Sequence, residues 1–152
     1  MSLGHFMAVY KISLVMAGSR DAAELAIIDM IAHSEDKNWG CRSKFEFSNI
    51  IGSRNRRVIL AAVDGDTVGY VHAILKGTAK KRYMWIEDIY VVKSFRRLDI
   101  ARKLIDFATK SFEAKIDFVA LLTFNRNVGI FRKLGFKRTM NYMSMDLQID
   151  KK

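Results

Sequence analysis

Residues 85–104, WIEDIYVVKSFRRLDIARKL, hold the side chains and backbone best placed for chemistry. A strand-like run, WIEDIYVV, passes through a basic turn, KSFRR, into a helix-like run, DIARKLIDFATKSF. The first amides of a helix have no partner inside it, and the aligned peptide dipoles add partial positive charge there. Consecutive N–H groups of Arg96, Arg97, Leu98, Asp99, Ile100, Ala101 and Arg102 can wrap an anion while the arginines add charge. A phosphate or pyrophosphate is the natural guest. Ala101 is small enough to let such a ligand approach the helix. Alone, the same residues would also read as an ordinary strand–turn–helix with surface arginines.

Other chemistries find little support. Cys41 is the single cysteine, so there is no internal disulfide framework and no cysteine cluster for zinc. His5, His33 and His72 are far apart and make no metal-ligand pattern. The net charge of +10 has two readings, a solvated basic surface or attraction to an acidic partner. The excess is spread over residues 54–57, 76–82, 96–103 and 126–138, with no zinc-finger spacing and no RNP-like aromatic motif. A nucleic-acid-associated protein is therefore the lesser reading. No apolar run approaches the roughly 18 residues of a membrane span. The start, MSLGHFMAVYK, lacks the organisation of a secretory signal. A cytoplasmic protein is expected, with residues 1–7 a leader that need not belong to the natural chain and 148–152 a short basic tail.

The elements that must position the turn follow from periodicity and punctuation. With 152 residues, half of them apolar, the chain fits one domain with a full core. Proline is absent, so glycine and polar clusters mark the breaks. AVYKISLVM reads as a strand. Ser19-Arg20-Asp21 opens a helix with apolar spacing at Ala23, Ile27, Met30 and Ile31. HSEDKNWGC is a loop, and KFEFSNIIG a shorter helix. RRVILAAVDGDTVGYVHAIL is a hairpin turning at Asp64-Gly65. YMWIEDIYVV is the next strand. The helix from about Leu98 to Phe112 puts Ile100, Leu104, Ala108 and Phe112 on one face. DFVALLTF is a buried strand, NVGIFRKL a short helix stopped by Gly135, and FKRTMNYMSMDLQI a last strand or two. The order βααβββαβαβ predicts an α/β (α+β) domain over residues 8–147, with one mixed, mostly antiparallel sheet flanked by helices.

Three pieces of this chain resemble the GNAT family of N-acetyltransferases: the hairpin end VGYVHA, the run WIEDIYVVKSFRRLDIARKL, and NVGIFRKLGFKR. The resemblance is strongest over residues 58–136. The second piece is similar to the family's acetyl-CoA signature, a strand followed by Arg/Gln-x-x-Gly-x-Gly/Ala and a helix. The resemblance implies acetyl-CoA as cofactor and an amine as acceptor. It implies that backbone near Ile89, Tyr90 and Val91 holds the pantetheine arm where the strand splays from its neighbour.

Residue roles carried by the resemblance include two departures. The family's glycine falls at Asp99, whose carboxylate complements the helix dipole and can cap, but is less welcome beside a pyrophosphate. The family's frequent tyrosine acid falls at Phe131, which cannot protonate a thiolate and serves in packing. Asn125 matches the family's asparagine if one residue is deleted nearby. Glu87 matches a position used as general base, with a solvated strand carboxylate as the alternative. Asp88 is expected on the opposite face of the sheet. Tyr142, on the late strand, is a substitute acid. His72 shares a face with Tyr70 and Ile74, and Glu35 and Trp39 are expected to be exposed loop residues. The expected function is direct acetyl transfer from acetyl-CoA to a primary amine of a small molecule, peptide or protein. A non-catalytic acyl-CoA-binding module is the alternative, with no metal in either case; the oligomeric state, a homodimer included, is open.

Overall fold

The Asp64-Gly65 turn is built as its dipeptide requires, with left-handed φ at both residues (50° and 90°), which suits the twist of the strands it joins. It links β2 (Arg56–Val63) to β3 (Asp66–Gly77). The computed structural model describes residues 9–147 of the chain. They fall into two units divided after Leu122.

The first unit holds β1 (Ile12–Met16), α1 (Ala22–Glu35), α2 (Lys44–Ile51), β2, β3, β4 (Arg82–Val91), α3 (Ile100–Ser111) and β5 (Phe118–Leu121). The sheet order is β1-β2-β3-β4-β5. All neighbours are antiparallel except β4 and β5, which are parallel and joined through α3. The mixed, mostly antiparallel sheet is the one the sequence predicts.

Strand alternation sends successive side chains to opposite faces. Val58, Leu60, Tyr70 and Tyr90 pack with Leu25, Ile28 and Ala32 of α1 and Phe47 of α2. Arg57 and Met84 instead meet α3 and its end, Arg57 over the Phe112 ring and Met84 against Thr109. The buried stripe of α3, Ile100, Leu104, Ile105 and Ala108, continues into Phe112 much as expected. In α1 the expected face is the wrong one. Leu25, Ile28, Asp29 and Ala32 are buried, whereas Ile27, Met30 and Ile31 are exposed. This helix carries apolar residues nearly all round, so spacing alone does not select a face. Its buried side contains an aspartate.

The second unit contains a turn at Asn125–Asn127 and α4 (Val128–Lys133), which ends at Gly135 with φ 100°. The predicted last strand is not formed: no strand follows β5 among the described residues. Met140, Tyr142, Met143, Met145 and Leu147 are all exposed. A strand needs a partner to satisfy its backbone, and this segment has none within its unit.

Candidate functional site

The site begins with a fault in β4. His72 opposes Asp88 and Ala73 opposes Ile86, so Glu87 is an extra residue on β4, a β-bulge. The bulge reverses the alternation. Met84 lies toward α3, yet Tyr90, an even number of residues on, joins the α1 and α2 core. Asp88 is therefore not turned to the opposite face as a regular strand would have it. It lies on the face of His72 and Tyr90, where it meets Arg42 and His72. Glu87 is exposed, and its Oε2 accepts a hydrogen bond from Trp85 Nε1 at 2.9 Å.

Pairing of β4 with β5 ends at Ile86 and Leu121. Beyond it, Asp88 to Val91 stay paired with β3, while Glu87 is bulged, and none of them has a partner strand on the other side among the described residues. The backbone of Ile89, Tyr90 and Val91 thus runs past the end of β5 with one edge that no strand pairs. Gly69 fits β3 closely to this stretch, since a Cβ there would lie 2.6 Å from the Tyr90 carbonyl oxygen.

The basic turn follows directly. Asp99, before the first residue of α3, has left-handed dihedrals (φ 60°, ψ 26°), a conformation glycine adopts freely and aspartate tolerates. This is the physical reason a glycine suits the position. Asp99 makes no side-chain cap, contrary to expectation, because the left-handed backbone replaces the extended conformation a capping residue uses. Its Oδ1 lies 3.4 Å from Arg102 Nε. The amides of Arg97, Leu98 and Asp99 donate no backbone bond, and those of Ile100 and Ala101 open the helix with no carbonyl a turn earlier inside it. Such a row of amides without a backbone acceptor suits a phosphate group.

Arg96 departs from its expected part. Its Nε donates to the Val91 carbonyl at 2.8 Å and its Nη2 to Glu35 Oε2 at 2.6 Å. The guanidinium thus braces the turn against β4 and α1, leaving anion contact to the backbone. Glu35 closes α1 and also accepts from the Tyr90 hydroxyl at 2.8 Å. Burial opposes its ionisation, but the Tyr90 and Arg96 hydrogen bonds and the charges of Arg96 and Lys93 outweigh it and lower the Glu35 pKa. Burial, followed by the bond to Glu35 and its charge, raises the Tyr90 phenol to about 12.

A second network fixes the loop between α1 and α2. Asp29 is fully buried. Its Oδ1 accepts from Trp39 Nε1 at 3.0 Å and from the Tyr70 hydroxyl, and its Oδ2 accepts from the Arg42 amide at 2.9 Å. The Tyr70 phenol is pushed far up by burial, then by the Asp88 and Asp29 charges and the bond to Asp29. Arg42 Nη1 reaches Asp88 Oδ2 at 2.5 Å. Burial disfavours the Arg42 charge, yet Asp88, Tyr70 and Asp29 prevail and raise its pKa. Arg56 can only donate, so its 3.0 Å contact makes His72 Nε2 the acceptor and leaves the proton on Nδ1, toward Asp88. His72 is thereby committed to the fold. Trp39 stacks edge-on against Tyr90. Glu35 and Trp39 are thus tied residues and not idle loop positions. Asp29, Arg42 and Asp88 were missed as a group; an acidic residue inside the apolar run LAIIDMIA of α1 was the available signal.

Three expected site residues lie in the second unit. Asn125 Oδ1 accepts from Arg138 Nη2 at 2.9 Å. Phe131 packs edge-on against Phe136, a packing role. Tyr142 is 72% exposed and not on a strand.

A bulged strand that outruns its parallel neighbour and feeds a helix through a left-handed turn is an arrangement suited to a phosphate-bearing ligand. Residues 24–136 match the acetyltransferase (GNAT) family, and the chain belongs to it. The family's cofactor is acetyl-CoA. The aminoglycoside N-acetyltransferase AAC(6')-Iy in complex with CoA superposes with a TM-score of 0.76 at 15% identity, over 93% of this chain and 97% of that one. The ribosomal-protein-alanine N-acetyltransferase from Brucella melitensis biovar Abortus 2308 gives 0.69 at 22%, over 91% and 100%. A transcriptional regulator from Bacillus halodurans C-125 gives 0.75 at 17%, over 90% and 100%. At these identities the likeness is one of fold. No curated protein matches the sequence. No helix among the described residues is long and apolar enough to cross a membrane, and these residues hold no cluster of metal ligands.

Proposed function

We propose that this protein is an N-acetyltransferase that moves an acetyl group from acetyl-CoA directly to a primary amine. The observation that carries the reading is Glu87, bulged and exposed where β4 runs past the end of β5. Backbone of Ile89, Tyr90 and Val91 would hold the pantetheine arm. Amides of Arg97, Leu98, Asp99, Ile100, Ala101 and Arg102 would hold the pyrophosphate, with Arg96 bracing the turn. When bound, acetyl-CoA supplies an acetyl group on a thioester.

Glu87 then has one task, to take the proton of the acceptor's ammonium, directly or through a water. Its carboxylate is oriented by Trp85 Nε1 and open to solvent on its remaining lone pairs. Asp88, paired with Arg42, and Glu35, paired with Arg96, are occupied by cations and are poorer bases. Phe131 offers no proton for the departing thiolate, so Tyr142 or water would supply it. Phe131 is also the feature that favours the second reading, an acyl-CoA-binding module without turnover.

Steady release of CoA thiol with a member of an amine panel separates the two. Glu87→Gln should leave CoA affinity near wild type and cut the amine-dependent rate by about 10²–10⁴-fold at neutral pH. Raising the pH should recover part of the loss, since more amine arrives neutral. A Glu87→Gln enzyme as fast as wild type across that range would remove Glu87 from the mechanism.

A further inference from the structure

One amine of the chain rests on the indole that also hydrogen-bonds the proposed base. Lys76 and Trp85 share a face of the sheet, with Lys76 opposite Tyr83 and Trp85 opposite Ile74. The Lys76 ammonium sits over the Trp85 ring, 4.9 Å from its centroid, in a cation–π contact. The same indole donates its N–H to Glu87 at 2.9 Å. Among the described residues Lys76 has no ion pair, and it is exposed. Trp85 is also one residue short of the point where β4 leaves β5. Lys81 provides an internal comparison: its ammonium lies 5.5 Å from the Phe118 ring, and Phe118 opposes Tyr83, further from Glu87 along the strand.

We infer that the protein acetylates itself at Lys76, an inference that rests on the acetyltransferase reading and on Glu87 as base. The Lys76 ammonium gives one proton to Glu87 or water. The freed lone pair of Nζ adds to the thioester carbonyl carbon, the C–N bond forms and the C–S bond breaks. Sulfur leaves with the bonding electrons and takes up, directly or through water, the second proton that Nζ sheds on becoming an amide, so the products are acetylated Lys76, CoA thiol and the one proton passed to Glu87 or water. A nucleophile tethered beside the reacting centre has a large effective concentration, which compensates for the lack of an acceptor-binding step. The product is neutral, so the cation–π hold on Trp85 is lost and the aromatic face beside Glu87 opens.

The test is peptide mass mapping of the full chain incubated with acetyl-CoA and no other amine. The Lys76 peptide should gain one acetyl group, at a first-order rate independent of protein concentration and roughly tenfold or more above that of Lys81. Glu87→Gln and Trp85→Leu should slow it, and Lys76→Arg should abolish that peptide's gain. Acetylation of Lys76 no faster than of Lys81, or at a rate rising with protein concentration, would overturn the inference. Thiol release with an added amine, while Lys76 stays unmodified, would sink self-acetylation and leave the acetyltransferase reading standing. No thiol release with any amine and no modified Lys76 would remove both.

Discussion

Asp99 shows how one residue is read differently from type and from backbone. By type it is a helix-start carboxylate that complements the dipole. By conformation it occupies left-handed space that costs an ordinary L-residue about 1–2 kcal/mol. Asp99→Ala removes the carboxylate but keeps a Cβ, whereas Asp99→Gly removes both. Alanine should therefore be the less stable of the two by about 1 kcal/mol, the reverse of their order inside a helix. Urea unfolding of both variants measures this. Both should bind CoA more tightly than wild type, since each removes a carboxylate from the open amides. Equal stability of the two variants would mean that the turn relaxes out of its left-handed form. Weaker CoA binding in both would show that the carboxylate serves the site.

At the scale of elements, the helix–loop–helix α1–α2 is held to the sheet by carboxylates on one helix. Asp29→Ala would leave the Trp39 indole, the Arg42 amide and the Tyr70 hydroxyl without their acceptor. The Tyr70 hydroxyl is buried and the other two donors are half-buried, and a buried orphan costs about 1–3 kcal/mol, so a loss of at least about 1 kcal/mol is expected by urea unfolding. A loss under about 1 kcal/mol would mean that water replaces the carboxylate. Glu35 adds a pH dependence. Its folded pKa lies below the ordinary 4.5, so its contribution is present above 4.5 and is lost as pH falls through the folded value. Tyr90 works in the opposite sense: its contribution is present below 10 and is lost as pH rises through about 12. Glu35→Gln should lower stability at neutral pH and flatten the acid limb, which thermal melts between pH 3 and 7 would show. An unchanged acid limb would remove Glu35 from the linkage. These elements also mark what sequence could reveal. The hairpin turn, the amphipathic α3 and the strand–turn–helix were legible because Asp-Gly, one apolar stripe and a basic turn each have a local cause. The bulge at Glu87 was not, since it depends on the register between β3 and β4. The Asp29 network was not, because its partners are up to 41 residues apart. The unformed last strand was misread because MNYMSMDL has strand-like composition, while a strand also needs a neighbour.

At the scale of the whole molecule, the charge of +10 acts on any polyanion approaching the turn after β4. CoA carries its charge on phosphates, and in the proposed site the groups that would meet them are backbone amides, since Arg96 is bonded to Glu35 and Val91. Binding should therefore combine a short-range part, set by the amides, with a long-range part, set by the surrounding lysines and arginines. The two respond differently to salt, since a Debye length of about 10 Å at 0.1 M screens distant charges and leaves contact hydrogen bonds nearly intact. CoA at about 100 times its dissociation constant should stabilise the protein by about 2.7 kcal/mol, a rise in Tm of roughly 5–10 °C for a chain of this size. At a fixed CoA concentration, raising salt from 0.05 to roughly 0.5 M should shrink that rise without abolishing it. A rise that vanishes would assign the affinity to diffuse charge and not to the turn. No rise at either salt concentration, with no heat by calorimetry, would show that the turn after β4 does not hold the cofactor.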